Sequence, residues 1–585
     1  MLVQPGAPHP IMGTDRLELL RLPLHLALFA EVIHAPEYAP FVFATSNHIF
    51  AAYWDLKRKA VATRAGPGED QWVPVLDRLC DKMTERQTLF ALETEVLDDH
   101  ERTVRAMESE NVLVLDCGRV GFFHEGFFDY AFARRFETRG GDLIQYLKNG
   151  EQGLFKRAPL RQILLHTHAT DHIGFVRSLR RVILDASIRF HQRRCALEVS
   201  ARIECASPEL WELFQDVLAC AEPALVREVW RVLWVADPWF LLLHEKGLIA
   251  AWLRTEDPEQ RHRAMTMVRN HIKMHPRECV DLLSPYVGVS DNWNAEIIHI
   301  LRLHVLAIDR SVFDLFLRIH SAGAFQGERN EEFWLCMHDL PKHQPDWAAE
   351  ALGQYLRNVV VKIEAVEVRS HFIQDDGPGE HLVLEIADMA PAEFLRKVLP
   401  VFIEVVQRTA RERDGKLTID QVWYVRNYRE EHLSIEESLL QGIENSFKTL
   451  AKTSVSDYFH FLNILKPYGD YDSVNFIIVC VLAVAPREFA DQTVEYLLAN
   501  PQRLECGWTC GGGGEFSYWA ARELVTHVAS QCTDEAFAIL EAHIVDYFPC
   551  WEKSKSGFKQ RGYWQMVMLP ALPAGRIDRE TESTH

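Results

Sequence analysis

The sequence predicts a mainly α fold, a winged-helix module followed by a HEAT-like α-solenoid. Three observations carry this expectation. Apolar residues recur at helical spacing over most of the chain, a short alternating pattern around a Cys117-Gly118 pair interrupts them once, and proline returns at helix-start positions thereafter.

The elements follow in order. Leu17, Leu20, Leu24, Leu28 and Val32 recur at helical spacing, with Pro23 interrupting the run, and the first seventy residues are mostly helical in pattern. A loop follows at Ala65-Gly66-Pro67-Gly68-Glu69-Asp70. Trp72, Val75, Leu76, Leu79, Cys80 and Met83 then match one face of an amphipathic helix. Asp98 and Glu101 have capping-box spacing ahead of a short helix through Val104 and Met107. Val112–Asp116 and Arg119–Phe123 read as two strands about the Cys117-Gly118 turn. Helix, short helix and hairpin in this order predict a winged-helix module over 71–137.

From about residue 138 the chain is nearly all helix. Proline follows a capping or small residue at Ser207-Pro208, Glu222-Pro223, Asp237-Pro238, Asp257-Pro258, His275-Pro276, Ala390-Pro391 and Ala485-Pro486. Proline suits the first helical position and disfavours the interior, so each marks a helix start. The first five lie 15, 15, 20 and 18 residues apart. Two such helices make a unit of about 30 to 40 residues, the scale of a helical-hairpin solenoid. Gln374-Asp375-Asp376-Gly377-Pro378-Gly379 is the best internal loop and divides the array into 138–373 and 380–585.

Composition bounds the function. The 585 residues include 48% hydrophobic ones, 15 Trp and 32 Phe, ample for a buried core. A net charge of −20 argues against general binding to a phosphate backbone. Twelve cysteines without disulfide-framework spacing fit a reducing compartment, and no secretory leader pattern opens the chain. The purest apolar run, Phe476–Ala485, is ten residues, whereas a spanning helix needs roughly 20. A cytoplasmic protein without membrane association is expected.

Two residue clusters invite metal chemistry and carry little of it. His166-Thr167-His168-Ala169-Thr170-Asp171-His172 resembles a His-x-His-x-Asp-His hydrolase signature, but an extra residue separates the second histidine from the aspartate. His168 and His172 at i, i+4 on a helix would need further ligands. Cys506-Gly507-Trp508-Thr509-Cys510 with Cys532 and Cys550 has irregular spacing for zinc, and buried helical cysteines are the plainer reading. Trp230, Trp234, Trp239 and Trp252 fall at core-compatible positions. No metal site is expected.

The phrase Phe122-Phe123-His124-Glu125-Gly126-Phe127-Phe128-Asp129-Tyr130-Ala131-Phe132-Ala133-Arg134 is the most distinctive in the chain. It puts a histidine where an apolar strand meets a helix start, and a helix start favours anions such as phosphate. With Leu22-Pro23-Leu24-His25-Leu26 upstream and Gln152-x-Leu154-Phe155-Lys156-Arg157 downstream, residues 15–165 resemble the signal-transducing ATPases with numerous domains, the STAND class that includes NACHT and NB-ARC proteins. The resemblance implies that Pro23 packs near the adenine of a bound nucleotide and that His124 touches the β-phosphate of ADP. Residues 1–70 would then be the end of an ATPase core. It also implies a role as the sensor half of a bacterial immune switch, with a protein or peptide ligand on the solenoid and an oligomer on activation.

The departure from that class is the missing P-loop. Gly415-Lys416 is followed by Leu417, and Gly511–Gly514 lead to Glu515 without a lysine. The chain is therefore expected to catalyse no ATP hydrolysis and to hold no cofactor alone. ADP or ATP would bind only when it joins an upstream ATPase half or a separate P-loop chain. The alternative is a solenoid scaffold for protein–protein interaction with no nucleotide role.

Overall fold

A computed structural model describes residues 19–35, 43, 45–66, 71–97, 100–201, 206–219, 222–326, 329–360, 378–412, 417–423, 434–507, 518–553 and 561–577. The chain forms two compact units, Met1–Met267 and Val268–His585, and the fold is mainly helical.

The first unit opens with α1 (Pro23–His34) and α2 (Ser46–Ala65), which pack on one another. Pro23 occupies the first turn of α1, so the helix begins where the sequence reads an interruption. α1 buries His25, Leu28 and Val32, and Lys57 of α2 reaches back to Glu31 at 2.6 Å. Leu17 lies outside the described residues.

α3 (Trp72–Arg86) buries the predicted face entire: Trp72, Val75, Leu76, Leu79, Cys80 and Met83. It leads through β1 (Ala91–Leu92) and α4 (Glu93–Val96) to α5 (Glu101–Ser109), which buries Val104 and Met107. Asp98 lies outside the described residues, and the N-cap position of α5 falls on His100, whose side chain makes no capping bond. β2 (Leu113–Asp116) and β3 (Arg119–Phe122) form the expected hairpin, with Leu113 opposite Phe122 and Asp116 opposite Arg119. Cys117 and Gly118 both take positive φ (48° and 76°), the geometry a two-residue type I′ turn requires. Sequence reading missed β1, which pairs with β3 through Ala91 and Val120, so the sheet is three-stranded in the order β1-β3-β2. Two residues are too few to show period-2 alternation.

β3 runs into α6 (Glu125–Thr138), followed by α7 (Leu143–Lys148), α8 (Arg157–Thr170), α9 (His172–Leu184) and α10 (Phe190–Ala201). α6 packs on α3 and α8, and α8 packs on α9 and α10. Helices then begin at Pro208, Pro223, Asp237 and Pro258 as the proline pattern predicts, and Ser207 caps the first by accepting from Leu210 N at 3.2 Å.

In the second unit helices begin at Pro276 and Pro391. Pro486 instead precedes a 3-10 turn, Arg487–Phe489, and the following helix starts at Ala490. Packing runs along the sequence: Pro345–Val360 lies on Pro391–Thr409, Gly379–Met389 on Ile435–Thr453, Ile435–Thr453 on Asp472–Leu482, and Asp472–Leu482 on Trp519–Ala529. Each of these four contacts joins helices that are not consecutive in the sequence. The apolar run Phe476–Ala485 belongs mostly to Asp472–Leu482, buried from Ser473 to Leu482. No helix among the described residues is long and apolar enough to cross a membrane. The loop at 374–377, like Gly415-Lys416 and Gly511–Gly514, lies outside the described residues.

Candidate functional site

The site begins with backbone geometry at the β3–α6 junction. His124 is extended (φ −154°, ψ 140°), and its carbonyl accepts from Phe127 N at 3.1 Å. Its Nδ1 accepts from Gly126 N at 2.9 Å, so the imidazole caps α6. That bond leaves the neutral ring's proton on Nε2, and the exposed side chain therefore presents an N–H donor beside the positive end of a helix.

An aromatic core fixes this junction. Phe127 of α6 meets Tyr53 at 5.4 Å and Phe122 at 5.9 Å, and Tyr130 stacks on Phe50 at 5.4 Å. Phe50 also takes the edge of His25 at 5.8 Å, which ties α1 to the same core. His25 Nδ1 bonds Leu19 O at 2.9 Å.

The structure brings the two sequence-selected positions into one neighbourhood. Leu24 Cδ2, from the residue after Pro23, lies 3.1 Å from the place a Cβ on Gly126 would occupy. Only glycine at 126 allows that approach without a shift. Leu22, Pro23 and His124 are all exposed. The start of α1 has no side-chain cap, and Leu24 in its first turn brings it beside the first turn of α6.

The remaining motif residues turn inward. Arg134 lies 5.0 Å above Trp54 and donates to Tyr130 Oη at 3.2 Å. Asp129 is largely buried, and burial first, then Glu125, pushes its carboxyl pKa up to about 7 against the pull of Arg161. Asp129 lies within the sequence motif, but its burial by α6's neighbours is invisible in spacing. Lys156 is buried, and its ammonium donates to the carbonyls of Tyr146 (3.0 Å), Leu147 (3.2 Å) and Asn149, closing the C-terminus of α7. Burial lowers its pKa.

The histidine cluster splits, with His166 on Glu137 and His168 against His172. α8 ends and α9 begins at Asp171, so His168 and His172 do not share a helix as the i, i+4 reading supposed. Asp171 caps α9 by accepting from Gly174 N at 2.9 Å. His166 Nε2 meets Glu137 at 2.7 Å, whereas the rings of His168 and His172 meet each other at 5.5 Å. Burial lowers the pKa of His166, and of His168 with help from His172. Of the cysteines, Cys506 and Cys532 are buried outside α-helices and Cys550 is exposed, while Cys510 lies outside the described residues. Trp230 and Trp239 are buried and Trp234 and Trp252 half-buried.

No family model matches the chain, and no curated protein matches it. Among solved structures it is similar to a crystal structure of an engineered protein, at 14% identity over 73% of this chain and 97% of that chain, with a TM-score of 0.21. It is also similar to importin beta crystallised in an ammonium sulfate condition, at 11% identity over 95% of this chain and 74% of that chain, with a TM-score of 0.23. At such scores neither likeness bears on fold or function.

Proposed function

We propose that the chain is the regulatory and sensor portion of a STAND-type nucleotide switch, acting in bacterial defence signalling, with no ATPase activity of its own. The observation that carries this reading is the exposed His124, held at the α6 N-terminus with its Nδ1 taken by Gly126 N, near the helix start at Pro23. An anion at that surface would meet a neutral donor and the positive ends of two helices.

Three further features support it. The order α3-β1-α4-α5-β2-β3 with sheet order β1-β3-β2 suits a winged-helix module over 71–137. The sequence-ordered packing of later helices suits HEAT-like arrays over 138–373 and 380–585 that would carry a protein or peptide ligand. α1 buries one face, yet Leu22 just before it (56%) and Leu26 within it (51%) are exposed, an apolar surface fitted to cover by an ATPase core, of which residues 1–70 would be the last part.

The test separates nucleotide contact from helix capping. His124→Ala removes both, whereas His124→Ser keeps a capping oxygen and removes the Nε2 donor. ADP binding to the complex with a P-loop chain encoded beside this one is expected to weaken at least ~10-fold in both variants. Stability should fall by ~0.5–2 kcal/mol only in His124→Ala. Unchanged ADP binding in both variants would return the chain to a scaffold role.

A further inference from the structure

The concavity between α3, α6 and α7, about 360 Å³ and lined by Thr84, Phe132, Arg135 and Tyr146 among others, has charges that are already paired: Arg135 with Asp81, and Arg139 with Asp77 at 2.6 Å. A row of arginines across α8, α10 and the helix Pro223–Val235 is different.

These three helices pack in succession, α8 on α10 and α10 on Pro223–Val235. Arg157 of α8, Arg194 of α10 and Arg231 of Pro223–Val235 lie around the carboxylate of Glu198, at 4.0, 3.1 and 3.2 Å. Glu228 takes Arg194 at 3.4 Å and Arg231 at 2.9 Å. Three cations thus share two carboxylates. The arginine side chains are 37%, 39% and 50% exposed, so a ligand can reach them. Residues 157–235 hold 11 arginines against 9 acidic residues, a local surplus of positive charge in a chain of net charge −20.

The surplus is least neutralised on α8. Arg161 stands one turn after Arg157, half-buried, and makes no hydrogen bond or ion pair among the described residues. Asp129 of α6 acts on it electrostatically, yet burial pushes that carboxyl up to about 7, so near neutral pH it supplies only part of a charge. Like charges at i, i+4 repel on a helix, and α8 has no acidic residue in its first turn to offset them. An anion at this place would relieve the repulsion.

The kind of anion follows from the spacing. Glu198 and Glu228 interrupt the row, and the chain's overall negative charge opposes a polyanion. A continuous phosphate backbone would meet both glutamates. Separate carboxylates on a peptide can meet Arg157 and Arg161 and leave the glutamates aside, and arginine's planar fork matches carboxylate geometry.

We infer that the arginine face of α8, α10 and Pro223–Val235 is a docking surface for an acidic protein segment, with Arg157 and Arg161 as its principal contacts. The surface uses neither His124 nor Pro23, so it stands on the switch and the scaffold readings alike.

The test is fluorescence anisotropy of a labelled hexaglutamate peptide titrated with the full chain, beside hexaglutamine and a single-stranded oligothymidylate. Saturable hexaglutamate binding with Kd below ~1 mM at low salt is expected, weakening as salt rises, with none for hexaglutamine. Arg157→Gln and Arg161→Gln should each weaken it ~3- to 5-fold, and Arg161→Glu should weaken it further. Arg161→Gln should melt no lower than wild type, because it removes a like-charge neighbour. Arg180→Gln, on α9 and paired with Asp216, should bind as wild type does. No saturable hexaglutamate binding, wild-type affinity in both α8 glutamine variants, or an equal loss in Arg180→Gln overturns the inference. So does tighter binding of the oligothymidylate, which would make the ligand a phosphate polymer.

Discussion

Two residues show how environment assigns roles that identity does not. The helix-start position of His124 is legible in the sequence, because an alternating apolar run ends there and an aromatic helix begins. Its tautomer is not, because that depends on the 2.9 Å bond from Gly126 N. Asp129 is the reverse case. Its pKa is raised from 3.8 to about 7, so the folded state holds a proton that the unfolded state has lost. Stability from this group is full below pH ~3.8 and declines as pH rises through 7, by up to ~4 kcal/mol. Asp129→Asn should therefore flatten the pH 4–8 dependence of urea unfolding and be more stable than wild type at pH 8. A parallel pH dependence in the two proteins would mean that Asp129 is ionised in the fold.

At the scale of elements, helical periodicity located α3 to its last buried residue, because one helix face meets one core. The proline rule located helix starts at Pro208, Pro223, Pro258, Pro276 and Pro391, and missed at Pro486, where a 3-10 turn intervenes before the helix. The i, i+4 histidine pair failed for a related reason: Asp171 caps a new helix, and capping competes with helix continuation. Lys156 shows a terminus closed from outside its own helix. Lys156→Met removes the donor to three carbonyls at the end of α7, and a loss of ~1–3 kcal/mol is expected in chemical denaturation. The β1 strand and the cavity between α3, α6 and α7 left no local signal. Thr84 and Tyr146 are 62 positions apart, and only helix packing brings both to one cavity.

At the scale of the molecule, packing in Val268–His585 follows sequence order, so damage should spread to neighbouring helices first. Gly442 tests this, because a Cβ there would sit 2.8 Å from Phe394 Cζ and 3.1 Å from Ala387 Cβ. Gly442→Val should wedge Ile435–Thr453 away from Gly379–Met389 and Pro391–Thr409 and speed amide exchange in those three helices. Exchange in Asp534–Asp546 should stay slow; uniform acceleration across the unit would mean that it unfolds as a whole. The sequence by itself determined the helical class, the hairpin with its turn, most helix starts and the placement of His124 at a strand–helix junction. These follow from periodicity, backbone allowance and capping, which act over a few residues. Only the tertiary structure decided that the Pro23 segment lies against Gly126 beside His124, that Asp129 is buried enough to hold its proton, and that Thr84 and Tyr146 line one aromatic cavity. Each depends on which side chains distant in sequence exclude water from the same place, and no local spacing encodes that.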